Sequence, residues 1–384
     1  MDDSFTHEPG NLPLARKLLV VNWGLVFLLC LVGAISIAML YSAANGHMRP
    51  WATRQVLHFA EGFAILFAVA LTDLRFWLKY AYVIYLISLL LLVLGDVSGT
   101  IGLGAKRWIA LGPVQLEPSE VAKVALVLAL ARYFNGLPID EVVRMRRLLA
   151  PLALIFMPTL LVLRQPDLGT AFLLSMIGAA MFFLAGVRWW KFAIALALVI
   201  AAIPVGWHFL HAYQKERLLG FLHPESDPLG AGYHIIQSKI ALGSGGVFGK
   251  GFLRGTQSHL DFLPEKQTDF IFTTLAEEFG MVGGLTLLVL YALIFAYGFA
   301  IGLSSRNQFG RLVALGVTTM VFLYVFVNIA MVSGLVPVVG VPLPLVSYGG
   351  TALLTLMFAF GLVLCVSVHR DLRLPTRGGG SGSL

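Results

Sequence analysis

Apolar residues run through this chain in long blocks separated by short polar seams. Ten blocks approach the roughly 20 residues that a bilayer-spanning helix needs. They lie near 19–43, 55–72, 76–95, 118–134, 149–163, 168–186, 189–210, 270–303, 311–335 and 346–368. The fourth and fifth are short or polar at one end. The run 270–303 exceeds one crossing and is expected to project from one face. The pattern predicts an all-α polytopic membrane protein with about ten transmembrane helices in a single domain, 1–377. One long interval, 211–268, is much less hydrophobic. It still interleaves Phe221, Leu222, Tyr233, Ile235, Ile236, Ile240, Phe248 and Phe252 with its charges, unlike a solvated flexible loop. Residues 233–242 fit an amphipathic helix, with Ile235, Ile236 and Ile240 apolar and Gln237 and Lys239 polar. The interval is therefore expected to be a large ordered loop, partly interfacial.

Composition agrees with the pattern. Of 384 residues, 58% are hydrophobic and 12% are charged, with mean hydropathy +0.85. A soluble domain carries about twice that charged fraction. Cys30 and Cys365 both lie in apolar runs, so no disulfide framework is readable. The first apolar run is too long for a signal-peptide core and is expected to stay as a helix. The tail 378–384 (GGGSGSL) reads as a flexible linker. Ten crossings put both termini on one side. Short basic loops with Arg75, Lys79, Arg144, Arg146, Arg147, Arg306 and Arg311 favour the cytoplasm for that side. The loops 96–117 and 211–268 then face outward and hold most of the basic residues on that side, against the topology rule; for the second, the alternative is that a long loop translocates regardless of charge.

Chemistry gathers where polar seams meet apolar runs. Asp269 follows the basic loop and is placed in the first turn of the next helix. Capping by Thr268 or Asp269 is the structural alternative to a chemical role. Pro118 is placed at the first position of a helix. Glu120 and Lys123 are three residues apart, on one helical face, about one turn into hydrocarbon. They read either as a functional pair or as an ion pair that fixes packing. Pro166 and Asp167 start another helix, again with capping as the alternative. GSGGVFGKG, with Lys250, offers backbone N–H groups that could approach phosphate oxygens, with glycine-rich flexibility as the equal alternative; its spacing is not that of a Walker loop. Ser347 opens the last span after the proline- and glycine-rich stretch 333–350, and Asn328 adds a polar group nearby. Four helix beginnings, at Pro118, Pro166, Thr268 and Ser347, are thus expected at one depth in the outer half of the membrane. Cations beside acids at that depth suit a lipid-linked diphosphate. The candidate cations are Arg107, Lys123, Arg217, Lys239 and Lys250, in no order the sequence sets. The sequence fixes no cofactor. A divalent cation, Mg or Mn, is a candidate beside Asp167 or Asp269, and the His/Cys spacing of a zinc site is absent.

Five segments in order, GAKRWIALGPVQLEPSEVAK, RQPDLGTA, FLHPESDPLGAGYHIIQSKIALGSGGVFGKG, LPEKQTDFIF and VPLPLVSYGG, resemble the SEDS family (shape, elongation, division, sporulation). The resemblance covers nearly the whole chain. GTQSHLDFLPE and LPLVSYGGT are more similar to the elongation branch, RodA, than to the division branch, FtsW. The resemblance implies a peptidoglycan glycosyltransferase that polymerises lipid II at the outer face of the bacterial inner membrane. It implies as partners a class B penicillin-binding protein with transpeptidase activity and other membrane proteins of the elongation complex, and no nucleic acid. It carries the catalytic acid onto Asp269 and supporting roles onto Glu120, Lys123 and Asp167. Asp269 would act as general base on the acceptor 4-hydroxyl, a contribution of about 10²–10⁴-fold. The competing readings are a flippase for a lipid-linked precursor, an FtsW-like division member, and a scaffold that recruits a synthase.

Overall fold

The computed structural model describes residues 13–372 apart from 99, 103–104, 112–113, 210–214, 216–218, 222–232, 261 and 264. Arg217 and the tail 378–384 lie outside the described residues, as does the side chain of Arg107. The helices are α1 (Leu14–Val20), α2 (Trp23–Ala43), α3 (Trp51–Leu71), α4 (Leu74–Ser98), α5 (Pro118–Asn135), α6 (Ile139–Val142), α7 (Met145–Arg164), α8 (Leu168–Leu184), α9 (Trp189–Phe209), α10 (Tyr233–Ser244), α11 (Thr256–His259), α12 (Ile271–Ser304), α13 (Gln308–Val332) and α14 (Gly350–Val368).

Every expected span coincides with a helix. Among the described residues, eight helices are long and apolar enough to cross a membrane: α2, α3, α4, α7, α9, α12, α13 and α14. The other two expected spans are α5, which carries Glu120, Lys123 and Arg132, and the 17-residue α8. Polar residues set the helix starts where water access ends. Asn22 accepts from Leu25 N at 3.2 Å, and Asn307 accepts from Gly310 N at 2.6 Å. Pro118 occupies the first turn of α5, where no intrahelical N–H is required of it.

Helices α5, α13 and α14 form the centre. Every residue of α5 from Ala122 to Ala131 is buried, so its apolar residues surround it rather than forming one stripe. By contrast, no residue of the most apolar stretch of α9 is buried, and that helix presents its side chains to the surroundings on all sides.

Two departures from the predicted pattern shape the site. First, the glycine-punctuated segment after α4 forms a three-stranded antiparallel meander, β1 (Thr100–Gly102), β2 (Ala105–Leu111) and β3 (Val114–Leu116). Ile109 pairs with Leu116, and Thr351 at the start of α14 hydrogen-bonds Gln115 O. The meander therefore lies over the beginnings of α5 and α14. Second, α12 is not continuous. Gly280 has φ +66° and ψ −160°, which separates a first segment, 271–279, from the remainder. The predicted amphipathic helix in the long loop is present as α10. Its buried face is Ile235, Ser238 and Ala241, whereas Ile240, expected inside, is exposed.

Candidate functional site

The break in α12 is closed by the glycine-rich loop. Lys250 N donates to Glu277 O at 3.1 Å and Gly251 N to Glu278 O at 2.9 Å. In return Met281 N donates to Gly246 O at 2.9 Å and Val282 N to Val247 O at 3.1 Å. The loop thus satisfies backbone groups that the break exposes, as buried amides require. Only glycine allows this approach: a Cβ on Gly249 would lie 2.1 Å from Glu278 O, and one on Gly280 would lie 2.3 Å from Gly249 N. These backbone contacts correct the expected phosphate cradle, since Gly249, Lys250 and Gly251 direct their amides at protein. The Lys250 ammonium is engaged too, 2.7 Å from Glu277 Oε1 and 2.7 Å from Thr256 Oγ1. Glu277 is fully buried and also accepts from Gln257 N at 3.0 Å. Glu278, equally buried, accepts from His259 and Ser42. Both carboxylates therefore face protein, as intramembrane acids must face protein or water.

Asp269 lies just before this broken helix. Phe270 occupies the N-cap position and no side chain caps it; Thr268 Oγ1 bonds back to Glu265 instead. Asp269 is therefore neither in the first helical turn nor a cap, which corrects both placements read from the sequence. Its backbone is held from two sides. Asn328, fully buried on α13, donates from Nδ2 to Asp269 O at 2.9 Å and to Val341 O at 2.7 Å. Ser347 Oγ donates to Thr268 O and accepts from Leu343 N at 2.8 Å. Tyr348 N donates to Gln267 O at 2.8 Å. The carbonyls of three consecutive residues, 267–269, are thus fixed by α13 and the 333–349 loop. Gln55 and Ser36 brace that loop through Ser347 O at 3.3 Å and Val346 O at 2.8 Å. The Asp269 carboxylate is partly exposed beside Gly340, where a Cβ would come within 3.6 Å of Oδ2.

The other predicted residues assemble around the same loop. Gly169, two residues after Asp167, sits so close to it that a Cβ would lie 2.3 Å from Val339 O. Asp167 caps α8, accepting from Thr170 N at 3.1 Å and Thr170 Oγ1 at 2.9 Å. The capping reading therefore describes this acid, which is 7% exposed. Lys123 Nζ lies 2.7 Å from Glu120 Oε1 and 4.6 Å from the centre of the Tyr324 ring. Tyr324 OH donates to Glu120 Oε2 at 2.7 Å. With Lys123 at 1% exposure, this constellation is a buried, hydrogen-bonded ion pair that ties α5 to α13. In the turn before α5, Glu117 accepts from Ser119 Oγ at 2.8 Å. Burial raises its carboxyl to about 7, with Glu120 adding to the rise, Lys123 and Ser119 opposing it, and Asp167 adding a smaller push.

The four helix beginnings do converge. Glu117 and Asp167 interact electrostatically. Gly169 meets Val339, Gly340 meets Asp269, and Ser347 meets Thr268. Tyr324 and Asn328, four residues apart on α13, link the buried ion pair to the Asp269 backbone. Sequence reading gave Tyr324 no role; its signal was a polar pair at one-turn spacing in an otherwise apolar helix. Among the described residues, no group of three or more His, Cys, Asp or Glu side chains is gathered to hold a metal ion.

Comparison with known proteins agrees with this arrangement. Residues 16–372 match the model of the cell cycle protein family of FtsW, RodA and SpoVE. The peptidoglycan glycosyltransferase MrdB of Escherichia coli K12 is 49% identical over 336 residues, covering 87% of this chain and 90% of the relative. Stage V sporulation protein E of Bacillus subtilis is 35% identical, covering 89% and 96%. A chain from a peptidoglycan synthase complex that coordinates polymerization and crosslinking superimposes with a TM-score of 0.79 at 37% identity, covering 91% and 98%. The Thermus thermophilus rod shape determining protein RodA superimposes with a TM-score of 0.70 at 31% identity, covering 92% and 98%. The chain is thus a multi-pass membrane protein that belongs to the FtsW, RodA and SpoVE family of cell cycle proteins.

Proposed function

We propose that this protein is a peptidoglycan glycosyltransferase of cell elongation that polymerises lipid II, with Asp269 as the general base. Relatives named as peptidoglycan glycosyltransferases support the reaction class. The observation that carries the residue assignment is the held, partly exposed Asp269. Its backbone is clamped by Asn328 and Ser347 while its carboxylate stands at the open Gly340 edge.

The reaction joins the acceptor 4-hydroxyl oxygen to the anomeric carbon of the donor sugar. The bond from that carbon to the undecaprenyl diphosphate breaks, and the diphosphate leaves with the electron pair. The hydroxyl proton passes to the Asp269 carboxylate. One displacement inverts an α-linked donor to a β-linked product. A base held in fixed geometry lowers the barrier because its orientation need not be found during the reaction. The membrane is the bacterial inner membrane, with both termini cytoplasmic and the long loop outside. Arg144, Arg146, Arg147, Arg306 and Arg311 support that orientation. A class B penicillin-binding protein supplies crosslinking, and the likeness to a chain of a peptidoglycan synthase complex supports that pairing.

The test is polymerisation of lipid II by the purified protein in nanodiscs, with and without its transpeptidase, comparing wild type with Asp269→Asn. Loss of glycan in a variant that retains the wild-type melting temperature is expected. Normal polymerisation by Asp269→Asn sinks the assignment of the base. Lipid translocation without polymer by the wild type sinks the enzyme reading.

A further inference from the structure

A leaving diphosphate needs a cation, and five were expected to compete for it. Two are engaged elsewhere: Lys123 is buried on Glu120, and Lys250 is bonded to Glu277 and Thr256. The side chains of Arg107 and Arg217 lie outside the described residues. Lys239 differs from Lys123 and Lys250. It is exposed on α10, and the helix is fixed directly above the segment that follows Asp269. The neighbouring Ser238 is fully buried, donates to Val332 O at 2.7 Å and lies 3.0 Å from Thr273 Oγ1. Thr273 stands one helical turn past Asp269. The Lys239 side chain itself lies over Gly334: a Cβ there would meet Lys239 Cε at 2.3 Å and Nζ at 2.9 Å. Gly334 has φ +71° and begins the loop 334–340, whose other end, Gly340, carries the Asp269 carboxylate at its edge.

We propose that Lys239 is the cation that holds the diphosphate of the lipid-linked donor, its ammonium aimed by the bare backbone of Gly334. The proposal rests on the glycosyltransferase reading above and adds to it the group that meets the leaving negative charge. The geometry assigns base and cation to opposite ends of one short loop. A proton can then be taken at one end while charge is stabilised at the other. The arrangement also gives Gly334 a purpose, since any side chain there would displace the ammonium. Among the described residues Lys239 has no acidic partner, so it meets a phosphate without giving up a buried carboxylate, whereas Lys123 and Lys250 would first have to abandon one.

The experiment measures binding of undecaprenyl diphosphate, the leaving product, to the full chain in nanodiscs, alongside lipid II polymerisation. Lys239→Gln is expected to weaken binding roughly ten- to hundredfold, the scale of one charge-assisted hydrogen bond. Lys239→Arg should keep most of it. Gly334→Ala, checked for an unchanged melting temperature, should resemble Lys239→Gln. Lys250→Met serves as the contrast and should leave diphosphate affinity near wild type in protein that remains folded. Wild-type diphosphate affinity in Lys239→Gln overturns the proposal, whatever the polymerisation rate. Asp269→Asn should still bind the diphosphate without making polymer. If it polymerises instead, the base assignment fails while the binding result for Lys239 stands by itself.

Discussion

Replacing Asn328 with leucine removes two hydrogen bonds at once and leaves a side chain of similar size. In the wild type, Nδ2 reaches Asp269 O at 2.9 Å and Val341 O at 2.7 Å, and the residue is fully buried. Val341 O is buried in that contact and loses its donor outright, whereas Asp269 O belongs to a half-buried residue that water can reach. An unsatisfied buried carbonyl costs about 1–3 kcal/mol. The cost falls on the backbone of the proposed base and on the loop beside it. If only about 1.4 kcal/mol of it appears as misplacement of Asp269 in the transition state, polymerisation slows about tenfold. The expected result is a lower thermal midpoint in nanodiscs together with at least that loss of rate. Saturating lipid II should not restore the rate, because positioning acts on kcat rather than on binding. Ser347→Ala, which frees Thr268 O, should give a smaller loss of the same kind. An Asn328→Leu protein that melts within about 1 kcal/mol of wild type and polymerises at full rate would refute the idea that this amide holds the site.

Two further outcomes follow from the surrounding network. Lys250→Met strands the buried Glu277 carboxylate and should destabilise the protein by about 3 kcal/mol, the lower end for a broken buried pair because Lys250 is partly exposed. Lys250→Met combined with Glu277→Leu should recover only part of that loss, because Gln257 N and Thr256 Oγ1 then lose their acceptor, and thermal unfolding of the four members of the cycle measures the coupling. Glu117 makes stability pH-dependent: its carboxyl is raised from 4.5 to about 7, so the folded state keeps a proton that the unfolded chain releases between those values. Its contribution is complete below about 4.5 and is lost as pH rises through about 7. Glu117→Gln should therefore gain stability relative to wild type as pH increases from 5 to 8, and a difference that stays flat across that range contradicts the assignment.

Much of the architecture was legible because hydrophobic run length is a direct physical requirement of a bilayer. All ten predicted spans are helices, and the amphipathic α10 lies where its periodicity placed it. The meeting of the seams at Glu120, Asp167, Asp269 and Ser347 was also readable, since each begins a span at similar depth. Polar side chains that cannot face lipid must meet one another there. What the chain could not declare was which partner each polar group chooses. Asp167 and Asp269 look alike in sequence, each next to a helix start. Only the packed structure makes the first a cap through Thr170 and leaves the second clamped by its carbonyls. The same holds for the lysines. Lys123, Lys239 and Lys250 are equivalent as charges, and pairing with the buried Glu120 or Glu277 separates two of them from the third. The glycine-rich loop read as a phosphate cradle because backbone amides carry no label of their destination. The break at Gly280 supplied the carbonyls that claim them. Local pattern thus determined where helices form and which residues reach the outer seam. Long-range contacts, which no local period encodes, decided which partner each of those residues meets and how deeply each is buried.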